Sequence, residues 1–276
     1  MKKIISIAFA AVFGFSLFAA DIFTYVPLNS DIRSYTKTDF SIASKFGNYF
    51  RTPSLKTKHS FENGKEVSSS EMTPKDLVQN SISSVYDENG RLREQSYTNS
   101  DSEIVWKNLY SYNSDGLKSE ISEYDTKNSL KSKTLFIYDR GNLVDETTYD
   151  GEGALLWKTI YKYTPAGAIE TICEYSADGK LSNQETYAYT ELGQIDSITI
   201  IDTFDNTEIQ KVFRYGTENQ LGEITTYDNS KQVSNRLLIK YDADGNVARI
   251  SEYNVAEKFG TIVNELIGMS EYSYEF

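Results

Sequence analysis

The stretch YDADGNVARISEY, residues 241–253, sets Asp242, Asp244 and Asn246 at alternate positions around Gly245, an arrangement able to offer oxygen ligands to calcium. An EF-hand loop needs a regular run of oxygens and a bidentate Glu at its twelfth position. Counted from Asp242, the twelfth residue is Tyr253, and sister stretches carry Thr164-Pro165-Ala166 or Thr190-Glu191-Leu192 in the same place. The segment reads as a hairpin turn, and no metal or cofactor is expected.

Other chemistry is sparse. His59, in KTKHSF, is the only histidine and Cys173 the only cysteine, so a His-based triad would rest on a single residue and zinc would lack ligands. Cys173 reads as a small buried residue, and no internal disulfide is possible. Neither GxGxxG nor GxxxxGK[ST] occurs. Paired carboxylates suffice for glycoside hydrolysis. Acids such as Glu123 and Glu174, however, fall at strand or turn positions, where solvated carboxylates keep edges apart and the chain soluble. The expectation is a protein that is not an enzyme.

Aromatic residues are the stronger signal. With 21 Tyr and 2 Trp the chain can present rigid amphipathic surfaces suited to protein contacts, and Trp106, Trp157 and Tyr161 could equally stack on sugar rings. These three are the candidate binding-surface residues, and the competing reading makes the same aromatics a ladder that only stabilises the sheet.

The elements that position them follow a repeat. Tyr86, Tyr112, Tyr138, Tyr163, Tyr189, Tyr215 and Tyr241 recur at 26-residue steps, with one step of 25. An apolar residue follows six places later at Leu92, Ile169, Ile195, Leu221 and Val247, and five places later at Leu117 and Leu143. A second aromatic divides most units (Tyr124, Tyr149, Tyr175, Phe204, Tyr227, Tyr253), giving a module of one strand and one tight turn. Such a module is too short for a crossover helix, so neighbouring strands run antiparallel. Asn89-Gly90, Asp115-Gly116, Asp150-Gly151, Asp178-Gly179 and Asp244-Gly245 supply the turn chemistry, and β-branched and aromatic residues fill ALLWKTIYKY and RLLIKY.

Alternation puts Leu155, Trp157, Thr159, Tyr161 and Tyr163 on one face of a strand, and Tyr110, Phe136, Tyr187 and Phe213 hold the same register as Tyr161. The intervening strands are less one-sided, because the tyrosine face of Val247–Tyr253 also holds Arg249 and Ser251. A barrel or thick sandwich wants a continuous apolar interior. The expected fold is therefore all-β: tandem antiparallel meander repeats of about 14 strands forming an elongated twisted sheet, with a curled or partly rolled sheet as the alternative.

Residues 81–276 are assigned to this repeat domain and residues 21–80 to a non-repeating cap, holding three of the four prolines and a short helix near 74–79 started by Thr73-Pro74. Residues 1–20 have the order of a signal peptide: Lys2 and Lys3, an apolar run, then Ala19-Ala20. Without Lys2 and Lys3 the chain carries 26 basic and 40 acidic residues, a charge of -14, which disfavours nucleic acid and anionic lipid as partners. No integral membrane span is expected once the signal is removed.

The strings YDENGRL and YDADGNV, with the looser YTPAGAI and YTELGQI, resemble the YD repeat of the RHS and teneurin-like families. The resemblance covers roughly residues 86–260 and implies tandem hairpins building extended or shell-like sheets on exported proteins of surface contact. The sequence thus reads as an exported, non-enzymatic β-repeat protein of the periplasm or cell surface that binds a protein or glycan along a tyrosine-rich sheet. A purely structural envelope scaffold is the alternative.

Overall fold

A computed structural model describes residues 22–276 apart from Thr217 and Phe259. The expected signal peptide at 1–20 lies outside the described residues. The chain is a meander of eighteen strands among the described residues: β1 (Ser34–Lys45), β2 (Asn48–Glu62), β3 (Lys65–Met72), β4 (Val78–Tyr86), β5 (Leu92–Asn99), β6 (Ile104–Tyr112), β7 (Lys118–Asp125), β8 (Leu130–Asp139) and β9 (Asn142–Asp150), then β10 (Leu155–Tyr163), β11 (Ile169–Ser176), β12 (Leu181–Tyr189), β13 (Ile195–Asp202), β14 (Thr207–Tyr215), β15 (Leu221–Tyr227), β16 (Val233–Tyr241), β17 (Val247–Lys258) and β18 (Thr261–Glu275). Every strand pairs antiparallel with its neighbours in sequence. β1 also pairs with β18 from Ser34↔Glu275 to Ser41↔Gly268. The sheet is closed into a barrel.

Closure overturns the elongated or partly rolled sheet expected from the sequence, and with it the open YD-repeat array. Its cause lies outside the repeat. The non-repeating segment is no separate cap: it supplies β1, β2 and β3, and β1 satisfies the edge that β18 would otherwise expose. The helix expected near 74–79 is a turn, in which Thr73 N–H donates to Leu77 O at 2.9 Å and Leu77 N–H to the Thr73 hydroxyl at 3.2 Å. Thr73 closes this turn instead of capping a helix, and a strand follows.

The period has a direct structural meaning. The residue six places after each repeat tyrosine except Tyr138 is its cross-strand partner, as in Tyr86↔Leu92, Tyr189↔Ile195 and Tyr241↔Val247. Between them lies a three-residue loop closed by a backbone pair and ending in a left-handed residue, for example Gly90 (φ 72°) or Gly245 (φ 82°). Asp242 Oδ1 accepts from the N–H groups of Asp244 and Asn246, so that carboxylate holds the turn together. The hairpin between β8 and β9 instead turns on two residues, Arg140 (φ 50°) and Gly141 (φ 85°). One fewer residue pairs Tyr138 with Leu143 and produces the single step of 25.

A register shift accompanies nearly every such tyrosine, leaving a strand-end carbonyl free of the ladder. The tyrosine two strands on satisfies it. The hydroxyls of Tyr112, Tyr163, Tyr189, Tyr215 and Tyr241 donate to the carbonyls of Leu92, Leu143, Ile169, Ile195 and Leu221 at 2.7–2.8 Å, each twenty residues back. Tyr86 and Tyr274 make the corresponding bonds to Glu66 and Val247 at 2.7 Å. These residues form a hydrogen-bonded rim at one end of the barrel.

The tyrosine face is the inner, crowded one. The chain before β1 folds against it: Ile22 sits with Ile198, Phe213, Leu221, Ile224, Ile239 and Val247 in the main apolar cluster, and Tyr25 meets Phe213 edge-on at 5.0 Å. Phe23 contacts Tyr35 at 5.0 Å and Tyr272 at 5.7 Å. This strap and cluster fill the inside of β13–β18. Eighteen strands about 4.8 Å apart and tilted about 40° give a perimeter of roughly 110 Å, enough for an aqueous lumen elsewhere.

Candidate functional site on the inner wall

Trp106, Trp157 and Tyr161, picked from the sequence as surface aromatics, all face inward, on the side of the barrel that the strap leaves open. Trp106 stacks on its cross-strand partner Tyr97, with centroids 5.6 Å apart and planes 6° from parallel. Trp157 and Tyr161 stand two residues apart on β10, sharing a face because side chains alternate. They line a recess of about 50 Å³ completed by Glu146, Thr159, Ile172, Glu174, Asn183 and Glu185.

Strand pairing sets this composition. Thr159 lies opposite Glu146 on one side and Glu174 on the other, Glu174 opposite Asn183, and Ile172 between Tyr161 and Glu185. Three carboxylates from β9, β11 and β12 thus converge across β10. Burial pushes the Glu146 and Glu174 carboxyls above the usual range, and neighbouring acids add to it: Glu174 acts on Glu146, Glu185 on Glu174. Tyr161 donates to Glu146 at 3.0 Å and Tyr187 to Glu185 at 2.5 Å. Both phenols are held well above their ordinary value, first by burial and then by the adjacent carboxylate.

Two lysines face the same space. Lys118 Nζ lies 4.2 Å from the Phe136 centroid, and burial lowers its pKa, as it does for Lys211. Glu146 acts on the first ammonium and Glu185 on the second, favouring their charged forms. Near Trp106, Tyr110 donates to Gln95 Oε1, and burial raises its pKa to about 12. Sequence reading named the aromatics but passed over Glu146, Asn183 and Glu185. Their shared inward alternation with Trp157 was the available signal. Among the described residues, no group of three or more His, Cys, Asp and Glu could hold a metal. His59 is half-buried on the inner wall, stacked on Tyr35 at 4.5 Å with Nδ1 2.6 Å from Glu66. Cys173 is buried between Ile160 and Gln184 on the outer side of β11.

The outer wall differs in kind. At mid-height, cations pair with acids thirteen residues earlier on the preceding strand: Lys107 with Glu94 (3.2 Å), Lys133 with Glu120 (3.4 Å), Lys158 with Asp145 (2.6 Å) and Arg236 with Glu223 (3.7 Å). Arg249 and Arg51 share Glu271 at 2.7 and 2.5 Å.

No family model matches the chain, and no curated protein sequence matches it. Among solved structures it is similar to a porin-like protein from Bacteroides uniformis at 13% identity and TM-score 0.48, covering 88% of this chain and 98% of that one. A porin-like protein from Bacteroides vulgatus gives 14% identity and TM-score 0.39 over 73% of this chain and 95% of that one. A TcdB2-TccC3-TEV structure gives 13% identity and TM-score 0.37, covering 83% of this chain but 15% of that one. The family placement that the YD motif implied is thus corrected by the closed barrel and the absence of a matching family model.

Proposed function

We propose that this chain is an exported, non-enzymatic barrel of the bacterial envelope that binds a glycan on its inner wall. The observation that carries the reading is the convergence of Trp157 and Tyr161 with Glu146, Glu174, Glu185 and Asn183 around one recess. Sugar rings present apolar faces and a fringe of hydroxyls. An aromatic platform takes the first, and carboxyl and carboxamide groups take the second. A recess of about 50 Å³ admits a hydroxyl or hydroxymethyl group, so the ring itself lies across Trp157 in the lumen. The inward position also favours a chain-like ligand over a folded protein partner.

The outer wall supports a barrel standing in water rather than in lipid. A Lys or Arg on the lipid face at mid-membrane costs about 2–4 kcal/mol. Lys107, Lys133, Lys158 and Arg236 all sit mid-strand with acidic partners. The signal-like start of the sequence supports export. The rim tyrosines belong to the scaffold, since their hydroxyls are committed to backbone carbonyls, which leaves Trp106, Trp157 and Tyr161 for recognition.

Titration calorimetry against bacterial envelope oligosaccharides tests the reading. Binding that Trp157→Ala weakens at least about tenfold, with the melting transition retained, is the expected result. A panel with no binder, or binding indifferent to Trp157→Ala, would leave the scaffold reading standing in its place.

A further inference from the structure

The seam strands outrun the barrel. β1 pairs with β18 only as far as Ser41↔Gly268, while β1 and β2 continue to pair with each other out to Lys45↔Asn48. β2 meets β3 no further along than Lys56↔Met72, so residues 42–51 form a two-stranded ribbon with neither neighbour. Its turn is Phe46-Gly47, at the end opposite the tyrosine rim. At about 3.3 Å per residue the ribbon stands roughly 13 Å clear of the wall. Beside it β17 and β18 project similarly, since β17 leaves β16 at Asn235↔Asn254 while pairing with β18 out to Lys258↔Thr261.

What these ribbons expose is unusual. Phe46 is fully exposed at 101% and holds φ 52°, a left-handed conformation where an Asn or Gly is ordinary and Phe is strained. Tyr49, Phe50, Ile262 and Ile267 are also exposed, at 49–72%. The charge is segregated too. From Phe40 to Phe61 the chain carries Lys45, Arg51, Lys56 and Lys58 and no Asp or Glu, in a protein whose acids exceed its bases by 12. Turns at the same end hold Asp101, Glu103, Asp125, Asp150, Glu152, Asp178 and Asp205 against Lys75, Lys127, Lys180 and Lys231. The tip stands about 13 Å from the point where β1 leaves β18, farther than the roughly 8 Å screening length at physiological salt. Acids at the ribbon's base are therefore largely screened from its tip.

We propose that the β1–β2 ribbon docks this protein on an anionic phospholipid bilayer, Phe46, Tyr49 and Phe50 entering the headgroup region and Lys45 meeting lipid phosphates. Exposed aromatics beside cations fit the bilayer interface, where each ring buries its apolar body and keeps polar neighbours wet. Arg51 is tied to Glu271 and lies over Phe40 at 4.9 Å, which braces the ribbon base, while Lys45 at the tip makes no ion pair among the described residues. Docking this way points one open end of the lumen at the membrane and leaves the charged wall in water.

The test is co-sedimentation of the chain, as recovered from the envelope, with vesicles of phosphatidylethanolamine and phosphatidylglycerol. Phosphatidylcholine vesicles are the neutral comparison. Wild type should bind the anionic vesicles, Phe46→Ser/Phe50→Ser should weaken that binding at least about tenfold, and Lys45→Glu should weaken it about fivefold or more, a loss that high salt erases. Thermal melting of each variant reports whether the barrel is intact, and all share the same N-terminus. Absent binding, or binding unchanged in the double variant, overturns the proposal. So does concentration-dependent self-association that the double variant abolishes without any vesicle binding, which would make a second copy the occupant.

Discussion

Replacing Tyr189 by Phe deletes one oxygen from the rim and should report the bond that oxygen makes. The hydroxyl donates to Ile169 O at 2.7 Å, a carbonyl next to the register shift opposite Tyr163. The ring stays, so apolar burial changes little, and the loss is that of one half-buried hydrogen bond, about 0.5–1.5 kcal/mol. Tyr163 and Tyr215 make the same bond one repeat to either side, at 2.7 and 2.8 Å. They sit two strands away, so the effects should add. The triple Tyr163→Phe/Tyr189→Phe/Tyr215→Phe should lose about 3 kcal/mol and melt roughly 6–12 °C lower. The control is a second triple, Tyr149→Phe/Tyr175→Phe/Tyr227→Phe, on outward tyrosines that make no side-chain hydrogen bond among the described residues. Calorimetric melting at neutral pH compares the two. Equal shifts would refute the rim as a source of stability and reduce the tyrosine period to a packing pattern.

Alkaline pH should unfold the barrel early. Burial raises the phenol pKa of Tyr163, Tyr189 and Tyr241 above 10.0, so the folded state keeps protons that the unfolded chain releases. Their contribution is complete below about pH 10 and falls above it, and phenolate absorbance should rise together with loss of structure. Glu174 has the same sign in the acid range: its folded pKa is raised above 4.5, so its contribution is present below that value and lost as pH climbs. Glu174→Gln should therefore raise the melting temperature at pH 7 and leave it nearly unchanged at pH 4. Phe213→Ala, at 4% exposure beneath Tyr25, should cost about 3–5 kcal/mol by denaturant unfolding. Gly193→Ala, at φ +76° with open space around it, should cost about 1–2 kcal/mol from backbone strain alone.

What the sequence disclosed was local. The spacing of six from Tyr86 to Leu92 is a pairing register, and the Asn89-Gly90 and Asp244-Gly245 dipeptides are the turns they resemble. Closure is not local. It depends on Ser34–Ser41 matching Gly268–Glu275, two segments outside the period and at opposite ends of the chain. The mixed faces that argued for an open sheet have another explanation: an eighteen-stranded ring is wide enough for an aqueous lumen, so its inner face tolerates Glu146, Glu174 and Lys211 as well as Trp157. Thr73-Pro74 misled for a related reason, since a capping threonine serves a tight turn as well as a helix. Trp106, Trp157 and Tyr161 were visible as aromatics, but which side they face followed only from the curvature of the closed sheet.

The central claim is the closed barrel, and a cross-link at its seam tests it most directly. Thr36 lies opposite Ser273 where β1 meets β18. In a Cys173→Ala background, Thr36→Cys/Ser273→Cys should form an intramolecular disulfide under mild oxidation, joining peptides from the two ends of a monomer. Thiols that stay free, or that link only between molecules, would contradict closure.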